Sequence, residues 1–167
     1  MRISKTGTEE RVTYYHVYNH EIKLRVEARE LSPEEIKKRR ESIKELLEFL
    51  KEKVENVEMG IEKFSCALGE ELKEAVYKIW EWTTDIWVGR DIETPGDVGV
   101  ISEKIISKQV GDIAISLASI AKSCHYEHYD PLEVCHEDRV IPVVRHFLKM
   151  YEEFLEKCKE QGIELLD

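Results

Sequence analysis

Three acidic residues in the middle of the chain have the types and spacing of ligands for a divalent cation. Glu71 and Glu74 are three residues apart, which places both carboxylates on one side of a helix. Asp112 opens a run of apolar and small residues further along the chain. Like charges at this spacing repel each other unless a hard cation such as Mg²⁺ lies between them. The pattern predicts a metal site, and the alternative is that these acids face solvent on helix surfaces.

The segment from Phe64 to Val76 resembles the first motif of the MazG-type all-α nucleotide pyrophosphohydrolases, in which a helix carries E-E-x-x-E behind an apolar lead-in. The second motif of that family is E-x-x-D at the start of another helix. Residues 109–112 are similar to it, with Gln109 where the family has Glu. The resemblance covers about residues 55–125. It implies an all-α fold and hydrolysis of a nucleoside triphosphate to the monophosphate and pyrophosphate.

The resemblance also implies roles for individual residues. Glu71, Glu74 and Asp112 would bind Mg²⁺ or Mn²⁺, which would hold the triphosphate, and Glu70 and Glu71 would be the catalytic pair that activates water. Arg139, a cation from the last helical region, would bind a phosphate of this nucleotide-like ligand. Because one of the family's four acids is missing, we expect slow turnover at best. The alternative is a non-catalytic helical dimerisation or interaction protein on the same scaffold.

Two further groups of residues suggest other chemistry. The first has the residue types of a zinc site but none of its usual spacings. It comprises Cys124, His125, His128, Cys135 and His136. The alternative interpretation is a polar helix end with one buried cysteine. The second is the pair Arg139 and His146, which resembles the Arg-x₄₋₆-His motif of HEPN-domain ribonucleases.

The charge of the chain bears on its partners. The 167 residues include 25 basic and 35 acidic side chains, a net charge of −10. This balance makes a nucleic-acid partner unexpected, because phosphate backbones are bound by clustered Lys and Arg. It still allows a small phosphate-bearing ligand, which a carboxylate-bound cation can carry.

Helix-capping patterns mark the elements that must position these residues. Three prolines each follow a capping residue, which predicts helix starts at Ser32, Thr94 and Asp130. The apolar spacing after Ser32 predicts one long helix to about residue 87, or two helices broken near Gly60 or Gly69. Further helical regions are predicted from Pro95 to about Cys124 and from Pro131 to about Gln161. We expect Gly162 to end the last one, and Pro142 to kink it or restart it near Ile141.

The first 31 residues differ from the rest. Residues 12–18 are rich in β-branched and aromatic types and residues 22–28 alternate in polarity, which predicts a β-hairpin that docks on another surface. We therefore expect a hairpin appendage over residues 1–31 and a helical domain over residues 32–167. The predicted fold class is all-α, an elongated helical bundle with a small N-terminal β-hairpin.

A homodimer is expected, because few partners within one chain match a seam of this length. The aromatic residues after the acidic motif fit a core or dimer contact, or a surface that stacks on a nucleobase: they are Tyr77, Trp80, Trp82 and Trp87.

The predicted location is the cytoplasm. No apolar run reaches the roughly 20 residues that span a bilayer, and the first residues lack the features of a signal peptide. The four cysteines lie far apart and are expected to be free or buried thiols. The abundance of Glu and Lys suggests a heat-adapted source.

Overall fold

The computed structural model describes residues 8–17, 20–29, 32–87, 108–127 and 136–166. Strands β1 (Thr8–Val17) and β2 (His20–Arg29) pair antiparallel, with Thr8 opposite Arg29 and Val17 opposite His20. Among the described residues the helices are α1 (Pro33–Glu58), α2 (Cys66–Trp87), α3 (Lys108–Glu127) and α4 (Glu137–Glu160). The all-α class is thus confirmed for the described residues from 32 onward. Whether the hairpin docks on the helices stays a prediction.

The start of α1 is the predicted one. The Ser32 hydroxyl accepts a hydrogen bond from the Glu35 amide at 3.1 Å, and the Glu35 carboxylate accepts one from the Ser32 amide at 3.3 Å. Pro33 follows at the first helical position, where no amide hydrogen is needed. This reciprocal pair satisfies two backbone donors that the helix leaves open. The helix starts predicted at Thr94 and Asp130 lie outside the described residues.

The long seam is broken at Gly60, one of the two predicted positions. Gly60 has φ +75°, and the amides of Gly60 and Ile61 donate back to the carbonyls of Val57 and Asn56. This is a Schellman ending, which favours glycine because the left-handed conformation strains other residues. Gly69, the other predicted break, lies inside α2. A Cβ atom there would lie 2.9 Å from the Phe64 ring, so the glycine allows a close approach.

The helices pack as a bundle in which α1 lies antiparallel to both α2 and α4. The Arg39 guanidinium lies 5.7 Å from the centre of the Trp82 ring, so the start of α1 meets the end of α2. Arg40 donates to the Leu165 carbonyl at 2.8 Å, whereas Glu58 at the other end of α1 pairs with Arg145. Further contacts join α2 to α3 and α4, and α3 to α4. The seam therefore finds partners within the chain, and its length is no longer a reason for dimerisation.

One continuous core joins the four helices. Most of the predicted seam is buried in it, including Leu50, Leu72 and Ile79. Ile61 is the exception, with 68% of its surface exposed, because it lies in the turn after Gly60. The small residues predicted to let a neighbouring helix approach α3 are also buried: Ala114, Ala118 and Ala121.

The last helix corrects one expectation. Helix α4 begins at Glu137 and continues through Pro142, so the predicted restart near Ile141 is wrong. Proline removes one hydrogen bond near the helix start, and burial of Val144, Phe147 and the residues after them offsets that loss. Gly162, with φ +79°, ends the helix in a second Schellman turn as predicted.

The cysteines also differ from the expectation of free thiols. Cys66, at the first position of α2, is disulfide-bonded, whereas Cys124 and Cys158 are buried thiols. Spacing along the sequence does not reveal this bond, because two cysteines far apart in sequence can be adjacent in a bundle. The prediction of thiols is confirmed for Cys124 and Cys158 and is wrong for Cys66.

Candidate functional site

The acidic motif lies on a groove between α1 and α2. Glu71 and Glu74 are both exposed and both line this groove, which has a volume of about 440 Å³. They share it because residues three apart lie on the same side of a helix. The other lining residues are Leu46, Phe49, Ala75, Lys78 and Trp82. The structure thus brings together two of the three predicted metal ligands.

Two lysine side chains lie near the acids of the groove. Lys53 on α1 forms an ion pair with Glu62 at 2.8 Å. Its pKa is raised chiefly by that hydrogen bond, and the charge of Glu71 adds to the increase. Lys78 lines the groove with Glu71 and Glu74, and its ammonium group contacts Glu81 at 3.5 Å. Both lysines thus form their ion pairs with acids other than Glu71 and Glu74.

Apolar and aromatic side chains form the rest of the groove wall. Trp82 is partly buried, and its ring carries the Arg39 guanidinium on one face at a distance typical of a cation–π contact. Phe49 and Leu46 are also partly buried against the core. The groove thus combines carboxylates, an ammonium group and an aromatic surface. Such a surface suits a ligand with both a charged and a flat apolar part.

Asp112 is not brought to this groove. It is exposed on the first turn and a half of α3. Helix α3 meets α2 where the His125 ring stacks on the Tyr77 ring, with 4.2 Å between the ring centres. Asp112 precedes His125 by thirteen residues, or about 20 Å of helix. Glu74 precedes Tyr77 by only three residues, about 5 Å. Within the described part of the chain, no group of three or more His, Cys, Asp or Glu side chains is arranged to hold a metal.

The other residues implied by the resemblance also lie apart from the groove wall. Glu70 is half-buried beside Glu71, and Arg139 is exposed on the first turn of α4. Neither lines the groove. The side chain of Gln109 lies outside the described residues.

The predicted zinc residues do not form a cluster where the structure describes them. Cys124 is buried, His125 is stacked on Tyr77, and His136 caps the start of α4 without a side-chain hydrogen bond. His128 and Cys135 lie outside the described residues. Arg139 and His146 are both exposed on α4, two turns apart.

Three groove residues were not predicted from the sequence, whereas Trp82 was named there among the aromatic residues that could stack on a nucleobase. Lys78 continues the spacing of Glu71 and Glu74 along one side of α2, so the helical period could have identified it. Leu46 and Phe49 could not have been found this way. They come from α1, and only the packing of α1 on α2 brings them to the same groove.

No protein-family model, curated protein or solved structure matches this chain at a significant level. Among the described residues, no helix has the length and apolar character needed to cross a membrane.

Proposed function

We propose that this chain is a Mg²⁺-dependent nucleoside triphosphate pyrophosphohydrolase-like protein, slow in turnover, whose nucleotide binds in the α1–α2 groove. The observation that carries the proposal is that Glu71 and Glu74 line one groove with Lys78 and Trp82. These groups match the parts of a metal–nucleotide complex. The volume of about 440 Å³ is within the usual range for a small-molecule site.

Two carboxylates fit a magnesium ion that arrives with its nucleotide. Mg²⁺ keeps several waters and is commonly bound by one or two carboxylates together with substrate phosphates, so a third protein ligand is not required. Mn²⁺ would serve as well. When bound, the ion would neutralise charge on the phosphates.

The remaining residues of the groove have separate tasks under this proposal. The Lys78 ammonium would attract a phosphate as a point charge, and the Trp82 ring would stack on the base. Glu71, with Glu70 beside it, would accept a proton from the attacking water. Arg139 lies outside the groove wall, so a phosphate contact from it would need a longer ligand. Turnover is expected to be slow because Asp112 and Gln109 do not add further acids to the groove.

The proposal is tested by thermal unfolding together with pyrophosphate release. Millimolar Mg²⁺ or Mn²⁺ with a nucleoside triphosphate should raise the melting temperature, because a ligand that binds only the folded state stabilises it. Glu71→Gln and Glu74→Gln should each remove the shift and any pyrophosphate release. Glu156→Gln is the matched control, since Glu156 is an exposed acid on α4. Asp112→Asn should leave the shift intact if only the groove acids hold the metal.

Two outcomes would reject the enzyme proposal. One is the absence of both a metal-dependent shift and pyrophosphate release across the common ribo- and deoxyribonucleoside triphosphates. The other is a shift that Glu71→Gln and Glu156→Gln reduce equally, which would indicate nonspecific charge screening. A shift without turnover would leave a nucleotide-binding protein without catalysis.

The second candidate is a non-catalytic helical dimerisation or interaction protein. It is favoured by the separation of Asp112 from Glu71 and Glu74, which leaves the family's acidic set divided between two places. Under either candidate we propose a homodimer and a cytoplasmic location. The N-terminal hairpin would contribute to assembly.

A further inference from the structure

The side of α3 that faces away from the core carries almost no charge. Charged residues occupy 4 of the 20 positions of α3, against 15 of 26 in α1 and 11 of 24 in α4. Between Asp112 and Lys122 there is none. The exposed positions in that interval are Ile115 and Ser119. In a chain with 36% charged residues, such a surface is unusual for a helix that faces water.

This surface borders a groove of about 560 Å³ between α3 and α4. We call this groove the α3–α4 face. It is lined by Ile115, Ser116, Ser119, Ile120, His146, Lys149, Met150 and Glu153. Ile115 is 38% exposed, and Val143, one turn before His146 on α4, is exposed to the same extent. Large aliphatic side chains exposed next to the uncharged stretch of α3 favour contact with another protein surface.

We propose that the α3–α4 face is covered by a second copy of this chain, related to the first by a two-fold axis. Each copy carries a net charge of −10, so two copies repel each other wherever their acidic surfaces meet. The α3–α4 face reduces this repulsion because the α3 residues between Asp112 and Lys122 carry no charge.

Two charged residues of the face are self-complementary. A two-fold axis brings the same surface of both copies together, so each charged group must meet an opposite charge on the equivalent surface of the other copy. Lys149 and Glu153 are one turn apart, exposed and opposite in charge. Neither forms an ion pair with another described residue. A two-fold axis between them places each Lys149 against the Glu153 of the other copy, which forms two identical pairs.

Sedimentation of the full chain tests the proposal. We expect a species of twice 19.6 kDa at micromolar concentration. Ile115→Glu should weaken the dimer at least about tenfold, because it adds one buried acid from each copy to the interface. Ile61→Glu is the matched control, since Ile61 is more exposed and lies in the turn between α1 and α2. Unchanged circular dichroism of both variants would show that the fold is retained.

A charge exchange tests the orientation of the two copies. Lys149→Glu should weaken the dimer, because it sets two acids against each other, and adding Glu153→Lys should restore it. A monomer at high concentration would overturn the proposal, as would a dimer that Ile115→Glu leaves as strong as Ile61→Glu does. A charge exchange that fails to recover the dimer would overturn the two-fold arrangement. None of these residues lines the α1–α2 groove, so the result is independent of nucleotide binding.

Discussion

At the scale of single residues, a buried hydrogen bond between side chains joins α2 to α4 in the core. The Thr83 hydroxyl lies 2.7 Å from both the Ile79 carbonyl and the Tyr151 hydroxyl. A carbonyl only accepts, so Thr83 donates its single hydrogen to Ile79, and Tyr151 must donate to Thr83. Both residues are buried, and burial raises the pKa of Tyr151 well above its usual value. The phenol thus stays neutral and keeps the hydrogen that it donates.

This donor order predicts an asymmetry between two substitutions. Thr83→Val leaves the buried Tyr151 hydroxyl without its acceptor and should lower the free energy of unfolding by about 1–3 kcal/mol. Tyr151→Phe leaves Thr83 bonded to Ile79 and should cost about 0.5–1.5 kcal/mol. In the double variant the two losses should not add, because Tyr151→Phe removes the hydroxyl that Thr83→Val leaves without an acceptor. Urea unfolding measures all three, with the half-buried Thr84→Val as control. Equal losses for the two single variants would contradict the donor order, and additive losses in the double variant would show that the two residues are not coupled.

At the scale of helices, sequence patterns located the described elements well and their contacts poorly. Ser32 and Gly162 predicted two helix ends because capping is local chemistry, set by a few adjacent residues. The apolar period likewise predicted the buried sides of α1 and α2. Period alone did not show that Gly60, rather than Gly69, breaks the seam, since both are glycine. Gly69 lies inside α2 with the Phe64 ring against it, a contact that the apolar period does not specify.

The turn between α1 and α2 should depend on the backbone of Gly60. Gly60→Ala should lower the free energy of unfolding by about 1–2 kcal/mol, because its φ of +75° strains a residue with a Cβ atom. Gly60→Asn should cost less, since Asn adopts this conformation more readily. No side-chain clash interferes, because a Cβ atom at Gly60 would meet nothing within 4 Å. Equal stability of the Ala and Asn variants in urea unfolding would show that this conformation does not govern the turn.

At the scale of the whole molecule, the candidate site shows why sequence alone was insufficient. The spacing of Glu71 and Glu74 predicted that they share one side of a helix, and they do. The expected convergence with Asp112 required the register between α2 and α3, which no local pattern specifies. The groove instead takes its second wall from α1, through Leu46 and Phe49. Tertiary packing, which the sequence specifies only indirectly, thus decided which residues meet.

The boundary between hairpin and bundle can be tested by truncation. Deleting residues 1–30 should leave the helical circular dichroism signal largely intact, because the α1 cap begins at Ser32 and the core is formed by the four helices. The same truncation should weaken assembly or solubility if the hairpin covers an apolar surface. The full chain serves as the reference in both measurements. Complete unfolding of the truncated chain would show that the hairpin belongs to the core.

The contact between Arg40 and the segment after α4 has a consequence for how the protein is made. Arg40 donates to the carbonyls of Glu164 and Leu165, more than 120 residues later in the sequence. A chain that is still being synthesised can pair α1 with α2 early, since both lie within residues 33–87. It cannot form the Arg40 contact until the residues through Leu165 have been added. The segment after α4 therefore secures the start of α1 only after all four described helices have been synthesised.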